Sequence, residues 1–275
     1  MSNRGQPLPK RRTILMMRLN KYLALAGIAS RRKCDDLIMT RLVSVNGKVI
    51  DQVGVRIDEN RDRVEYRGKQ VFLPAEFVYI ILNKPKGVIT TARDNYERKS
   101  VLDLIPIKKR IYPVGRLDSD SSGLLLVTND GLMTNALIHP RYKIPKRYHV
   151  MLDKKLKPIS KYTLEHGVEL DGQKTAPCKI EEIRIIDNAS FVEVELYEGR
   201  NRQLRRMFEL SGYRVRQLER ISFGPLTLTG LRRGEWRFLT KKEINMLKKY
   251  IAAIETTEPV RTPASTGPYH REGQN

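Results

Sequence analysis

The residues best suited to chemistry lie in Gly115-Arg116-Leu117-Asp118-Ser119-Asp120-Ser121-Ser122-Gly123-Leu124-Leu125-Leu126-Val127-Thr128-Asn129-Asp130-Gly131. Asp118, Asp120, Ser122 and Gly123 copy the opening spacing of a calcium-binding loop. Such a loop needs a bidentate glutamate at its twelfth position and a helix leading into it; here that position is Asn129, and Ile111–Leu117 reads as a strand. Two uses remain for Asp118. It can cap a turn between strands, as aspartates commonly do. It can also serve as a reactive carboxylate, because Arg116 stands beside it, and a neighbouring cation holds a carboxylate ionised and nucleophilic.

Cations gather in three further places. Arg18 and Lys21 precede Arg31-Arg32-Lys33; Arg141-Tyr142-Lys143-Ile144-Pro145-Lys146-Arg147 leads into Tyr148; Arg200, Arg202, Arg205 and Arg206 crowd the segment Glu198–Met207. Each group can be a solvated face and nothing more, and a tyrosine at a strand start is ordinarily a packing residue. The whole chain argues for a polyanionic partner: 52 Lys and Arg against 31 Asp and Glu leave a net charge of +21, and the pI is near 10.0. Arginine suits phosphate because its planar fork matches the oxygens.

Residue types exclude other classes. Cys34 and Cys178 lie far apart, so no disulfide framework is expected and a reducing cytoplasm fits. The histidines His139, His149, His166 and His270 form no HExxH, and there is no CxxC, so no metal site is expected. His139 and His149 are expected to serve packing or hydrogen bonding. No GxxxxGK[ST] and no GxGxxG after a strand offers a nucleotide cofactor an anchor. No apolar run approaches the roughly 20 residues that cross a bilayer, and Met1 to Thr13 is polar and basic, unlike a secretory signal.

The elements that must position these residues follow from periodicity. Leu19, Tyr22, Leu23 and Ala26 recur at helical spacing and end at Gly27; Ser30 is a fair N-cap for a second helix with Cys34, Leu37 and Ile38 inward. Alternating runs flank Asn46-Gly47, a strong hairpin signal, and a weak strand is expected at Arg63–Arg67. Further strands are expected at Phe77–Leu82, Ile111–Leu117, Leu124–Thr128, Tyr148–Leu152, Lys179–Ile186 and Phe191–Leu196. Helices are expected at Leu132–Ile138, Lys161–His166, Asn201–Ser211 and Lys241–Ile254. In the third of these, Leu204, Met207, Phe208 and Ser211 face inward, and Arg202, Arg205 and Arg206 face out. The fold class is α+β: a small N-terminal unit of two helices and a hairpin, and a larger domain on a mixed, largely antiparallel sheet. The expected divisions are a flexible basic leader over 1–16, the small domain over 17–75, the large domain over 76–255 and a disordered tail over 256–275.

These residues carry two resemblances. Arg18-Leu-Asn-Lys21-Tyr-Leu-Ala-Leu-Ala-Gly-Ile-Ala-Ser30-Arg-Arg-Lys, followed by Val43-Ser-Val-Asn-Gly-Lys-Val, is similar to the α-L RNA-binding module of ribosomal proteins. Gly115-Arg-Leu-Asp118 followed by Gly123-Leu-Leu-Leu-x-Thr-x-Asp-Gly131 resembles the pseudouridine synthases, in which the aspartate at this place is catalytic. Asn83-Lys-Pro-Lys-Gly87 resembles that family's first motif. Lys146-Arg147-Tyr148 resembles the segment whose tyrosine stacks on the target uracil. Glu198–Met207 resembles the third motif, whose arginine after Gln-Leu pairs with the catalytic carboxylate. The resemblance therefore implies Asp118, Tyr148 and Arg205 as the catalytic set. It assigns Arg18, Lys21, Arg31, Arg32, Lys33, Arg116, Lys146, Arg147, Arg200, Arg202 and Arg206 to RNA contact. It implies an isomerase that turns a uridine of ribosomal RNA into pseudouridine, as a cytoplasmic monomer without cofactor or metal. Asn201-Arg202 and His139-Pro140-Arg141 look closer to enzymes of the large (23S) subunit RNA than of the small (16S) one. A non-catalytic ribosome-assembly factor is the competing reading, and it predicts the loss of Asp118, Tyr148 or Arg205; all three are present. A DNA-binding regulator lacks a recognition helix.

Overall fold

In a computed structural model, residues 16–91 and 98–257 are described, the last three by their backbone alone. The expected leader and tail lie outside the described residues, apart from Met16 and the end of a helix that runs Lys241–Thr257, a turn beyond its expected end at Ile254.

The chain packs as two units. The first holds 1–120, 125–135 and 231–238. Its N-terminal part forms as the residue pattern expects. The helix Leu19–Leu25 is closed by Ala26, with Gly27 at φ +87°. Ser30 caps the helix Arg31–Met39, its hydroxyl accepting from the Lys33 amide at 3.3 Å. Asn46 and Gly47, at φ +52° and +78°, turn the hairpin Val43–Val45 and Lys48–Ile50. Val64–Tyr66 is a firm strand, paired with both Val43–Val45 and Lys69–Gln70. Leu19, Leu23, Cys34, Ile38, Val43, Ile57 and Val64 make a dry core, and Tyr22 donates its hydroxyl to the Val71 carbonyl at 2.9 Å.

Beyond this part the first unit is a small sheet, with Tyr79–Lys84 between Trp236–Phe238 and the later residues of Ser122–Thr128. Tyr79–Lys84 is buried throughout, so the strand runs on through Asn83 and Lys84 instead of stopping at Leu82. Of the strand expected over Ile111–Leu117, only Tyr112–Pro113 pairs, with Thr128 and Val127. The Val114 amide still donates to the Leu126 carbonyl at 2.8 Å, and Gly115, at φ +72°, then turns the chain out of the ladder into the Asp118 loop.

The second unit holds 121–124, 136–230 and 239–275. Its strands lie in the order Lys179–Ile186, Ala189–Leu196, Lys146–Leu152 and Val215–Phe223, each antiparallel to the next. Ser122 and Gly123 add a parallel pairing to Glu219 and Arg220, so the sheet is mixed and largely antiparallel. The helices Pro158–Glu165 and Gln203–Leu210 occupy positions close to those expected. The second is shorter at its start: Arg202 stands before it in the left-handed region, φ +46°, and not on its outer face. Cys34 and Cys178 are buried free thiols, and burial pushes the Cys178 thiol up to about 12. No helix among the described residues is long and apolar enough to cross a membrane.

Candidate active site

Asp118 belongs to the first unit, Tyr148 and Arg205 to the second. In the first unit the backbone around Asp118 is held at successive residues. The Thr90 hydroxyl donates to the Leu117 carbonyl at 2.7 Å and accepts from the Leu117 amide at 3.2 Å. The Lys84 ammonium donates to the Asp118 carbonyl at 3.0 Å and to the Pro85 carbonyl at 3.1 Å. The Gly87 amide donates to the Ser119 carbonyl at 2.7 Å. The Lys84-Pro-Lys-Gly turn thus fixes the loop that presents Asp118, while the Asp118 residue itself stays half-buried. Fixing the main chain on both sides of Asp118 narrows the positions its side chain can take. Lys84 is 0 % exposed, and burial lowers its pKa to about 8 against the pull of the Asp118 and Asp120 carboxylates. Arg116, just before, is exposed.

The second half of the long motif is structural. Asp130 is buried; its Oδ1 accepts from the amides of Leu132 and Met133, both at 3.0 Å, and its Oδ2 from the Tyr79 hydroxyl at 2.6 Å. The Asn129 Oδ1 accepts from the Val78 amide at 2.7 Å, and Thr128 donates to the Val78 carbonyl at 2.5 Å. Asp130 therefore starts the helix Gly131–Ile138 and ties it to the neighbouring strand. The same contact pushes the Tyr79 phenol far above its ordinary range, burial first and the hydrogen bond to Asp130 second. Among the described residues no group of three or more His, Cys, Asp and Glu is placed to hold a metal ion.

In the second unit Tyr148 is 9 % exposed on the strand Lys146–Leu152, directly opposite Val194 on one side and Arg220 on the other. Arg220 was not singled out in the sequence. It is 3 % exposed, lies over the Phe223 ring at 5.1 Å, and donates from Nε to the Leu124 carbonyl at 2.8 Å; its Nη2 is buried without a partner. Lys146 crosses the same ring at 5.7 Å and donates to the Ile144 carbonyl at 3.0 Å. Burial lowers the Lys146 pKa to about 8, helped by repulsion from Arg220 and opposed by Glu198. Two cations thus share a low-dielectric patch beside Tyr148, which favours an arriving anion.

Arg205 is half-buried on the helix Gln203–Leu210 and donates to the Val215 carbonyl at 3.0 Å. Its neighbours hold protein. Arg206 grips Asp171 through two hydrogen bonds of 2.8 and 2.6 Å. Arg200 donates to the carbonyls of Gln173 and Lys174, at 3.0 and 2.7 Å, and to Glu198 at 3.4 Å. These pairings fasten the hairpin Glu169–Leu170 and Gln173–Lys174 to the segment that carries Arg205. Arg147 pairs with Glu195 at 2.7 Å and Glu193 at 3.7 Å, and Arg202 is exposed. In the N-terminal part Arg18, Arg31, Arg32 and Lys33 are exposed and Lys21 is half-buried.

A loop-borne aspartate held by a lysine-proline turn, with a tyrosine strand and an arginine helix in the expected order, defines a class. Residues 78–210 match the model of the RNA pseudouridylate synthase family, and residues 17–62 match the S4 domain. The chain is 45 % identical over 237 residues to ribosomal large subunit pseudouridine synthase B of Bacillus subtilis (strain 168), covering 85 % of this chain and 96 % of that protein. It is 38 % identical over 241 residues to the dual-specificity RNA pseudouridine synthase RluF of Escherichia coli (strain K12), covering 86 % and 79 %. A crystal structure of a pseudouridylate synthase superposes with a TM-score of 0.61 at 29 % identity, covering 84 % of this chain and 99 % of that one. The chain belongs to the RNA pseudouridine synthases, with an S4 domain at its N-terminal side.

Proposed function

We propose that the chain converts a specific uridine of large-subunit (23S) ribosomal RNA to pseudouridine, as a cytoplasmic monomer that uses neither metal nor organic cofactor. Asp118 acts as the catalytic carboxylate at the ribose, Tyr148 stacks on the uracil, and Arg205 keeps the carboxylate charged. The observation that supports this reading is the bracing of the Leu117, Asp118 and Ser119 main chain by Thr90, Lys84 and Gly87. The name of the Bacillus subtilis relative, ribosomal large subunit pseudouridine synthase B, supports the choice of RNA.

The reaction balances within the nucleotide. The N1–C1′ bond breaks, the uracil turns, and a C5–C1′ bond forms; C5 loses its proton and N1 gains one. In this reading the Tyr148 ring stacks on the detached base, and its hydroxyl takes part in removing the C5 proton. The base must leave its stack to reach the site, as in other enzymes that act on a base. Residues 17–75 bind RNA through Arg18, Lys21, Arg31, Arg32 and Lys33, and residues 76–255 carry out the reaction. Arg116, Lys146, Arg147, Arg200, Arg202 and Arg206 add positive charge around it.

Carbodiimide–primer extension on ribosomal RNA from a strain lacking the gene tests this. The expected result is one pseudouridine missing from 23S RNA and restored by the wild-type gene. An unchanged 23S pattern, or a loss confined to 16S RNA, contradicts the assignment.

A further inference from the structure

Outside the catalytic residues the first unit holds a cavity of about 400 Å³, in the range of pockets that take a small ligand, roughly 300–1,000 Å³. Its lining is divided by chemistry. Leu102, Ile105, Ile107 and Ile111 give an aliphatic floor. Lys33, Lys109 and Arg110 give positive charge, and among the described residues none that lines it is acidic. Lys33 comes from the S4 helix Arg31–Met39, while Lys109 and Arg110 come from the segment that leads to Tyr112. Arg110 also donates to the Ala24 carbonyl at 3.4 Å and lies 5.5 Å from the Tyr112 ring centre, so it is anchored at the edge of the cavity. Lys33 sits 3.4 Å from Asp36, but both side chains are about two-thirds exposed, and water leaves such a pair weak.

We propose that this cavity binds one unpaired nucleotide of the RNA, its base on the aliphatic floor and its phosphate against Lys109, Arg110 and Lys33. The proposal rests on the reading that the partner is RNA and adds a contact shared between an S4 helix and the segment before Tyr112. A duplex explains less of the cavity. Stacked bases in an A-form helix show the protein phosphates and 2′-hydroxyls and no free base face, so an aliphatic floor has nothing to cover. An unpaired nucleotide offers both an apolar face and a charge.

The test uses the full chain with three variants: Lys109→Glu, Ile107→Asp, and Lys241→Glu as an exposed charge reversal away from the cavity. Binding to a 23S RNA transcript is measured across salt, with a uridine hexanucleotide and a blunt RNA hairpin as competitors. Lys109→Glu should weaken binding about tenfold more than Lys241→Glu and lower the log K versus log salt slope by about one to two. Ile107→Asp should weaken hexanucleotide binding at least tenfold and leave hairpin binding within twofold. Thermal unfolding of each variant separates these losses from misfolding; should Ile107→Asp fail to fold, Ile107→Ser replaces it with the same expectation. Cavity variants that match Lys241→Glu in affinity and slope overturn the proposal, as does equal loss of hexanucleotide and hairpin. The catalytic reading fails separately: an active Asp118→Asn enzyme would sink it and leave these binding results standing.

Discussion

Lys84 donates its ammonium to the backbone carbonyl of Asp118 at 3.0 Å from a position with no solvent exposure. The contact joins the Asn83–Gly87 motif to the Asp118 loop, and it fixes the main chain that carries the proposed catalytic carboxylate. Replacing Lys84 by Met keeps the length and the burial but strips a donor from two carbonyls, an effect of about 1–3 kcal/mol for each acceptor left without a partner. The turnover rate should fall at least tenfold with the RNA dissociation constant within threefold. A variant with wild-type kcat would mean that the loop is held without Lys84.

The same residue has a pH signature. Burial lowers its folded-state pKa to about 8 from 10.5, so between those values the unfolded chain holds a proton that the folded chain has released. The Lys84 contribution to stability is therefore greatest above about 10.5 and is lost as pH falls through about 8. The stability difference between wild type and Lys84→Met, followed by denaturant unfolding from pH 7.5 to 10.5, should move in favour of the wild type as pH rises. A difference independent of pH would show that Lys84 titrates normally.

Lys146 also titrates near 8, chiefly through burial and then through Arg220. An RNA phosphate needs it protonated. From pH 7 to pH 9 at fixed ionic strength, wild-type RNA affinity should fall about tenfold, the linkage of one proton taken up on binding. Lys146→Met should bind more weakly at pH 7 and lose most of the pH dependence. Filter binding of the two proteins over this range decides it; parallel curves would remove Lys146 from the RNA contact.

Arg220 and Gly123 make the parallel strand pairing possible. A Cβ at Gly123 would lie 2.2 Å from the Arg220 carbonyl oxygen, and the residue sits at φ +109°. Arg220 in turn donates to the next residue's carbonyl, Leu124, and stands opposite Tyr148. Gly123→Ala should lower the melting temperature by several degrees or prevent folding, through backbone strain of order 1–3 kcal/mol and the collision together. Arg220→Gln should reduce kcat more than it raises KM, and Arg220→Lys should recover part of the rate. Equal loss in both Arg220 variants, tracking the loss of folded protein, would reduce the residue to a structural support.

Much of this was legible locally. The helices around Ser30, the Asn46-Gly47 turn and the Asp118 loop announce themselves through caps, turn residues and spacing within a few positions. The strand Val215–Phe223 was missed, and with it Arg220. Register shifts at Arg147/Tyr148 and Met151/Leu152 in its pairing break the alternation that marks a half-buried strand, so Leu218, Arg220 and Phe223 share no simple period. Lys84 reads as a turn lysine by composition, and only the buried strand around it shows that its charge is taken inside. The cations of Glu198–Met207 look alike in sequence, yet Arg200 and Arg206 are bound to the 170–174 hairpin while Arg202 is not in the helix at all. Such differences depend on contacts between segments far apart in the chain, which no local pattern carries.

If Asp118 performs the isomerisation, its loss stops release of the hydrogen on C5 of uridine, which pseudouridine formation sets free. The direct measurement is tritium release from 23S RNA labelled as [5-³H]uridine, with wild-type and Asp118→Asn protein at equal folded concentration. Wild type should release tritium to one equivalent per RNA, and Asp118→Asn should release none above background while binding the RNA within a few-fold of wild type. Tritium release by Asp118→Asn at even a tenth of the wild-type rate would contradict the assignment of the catalytic carboxylate.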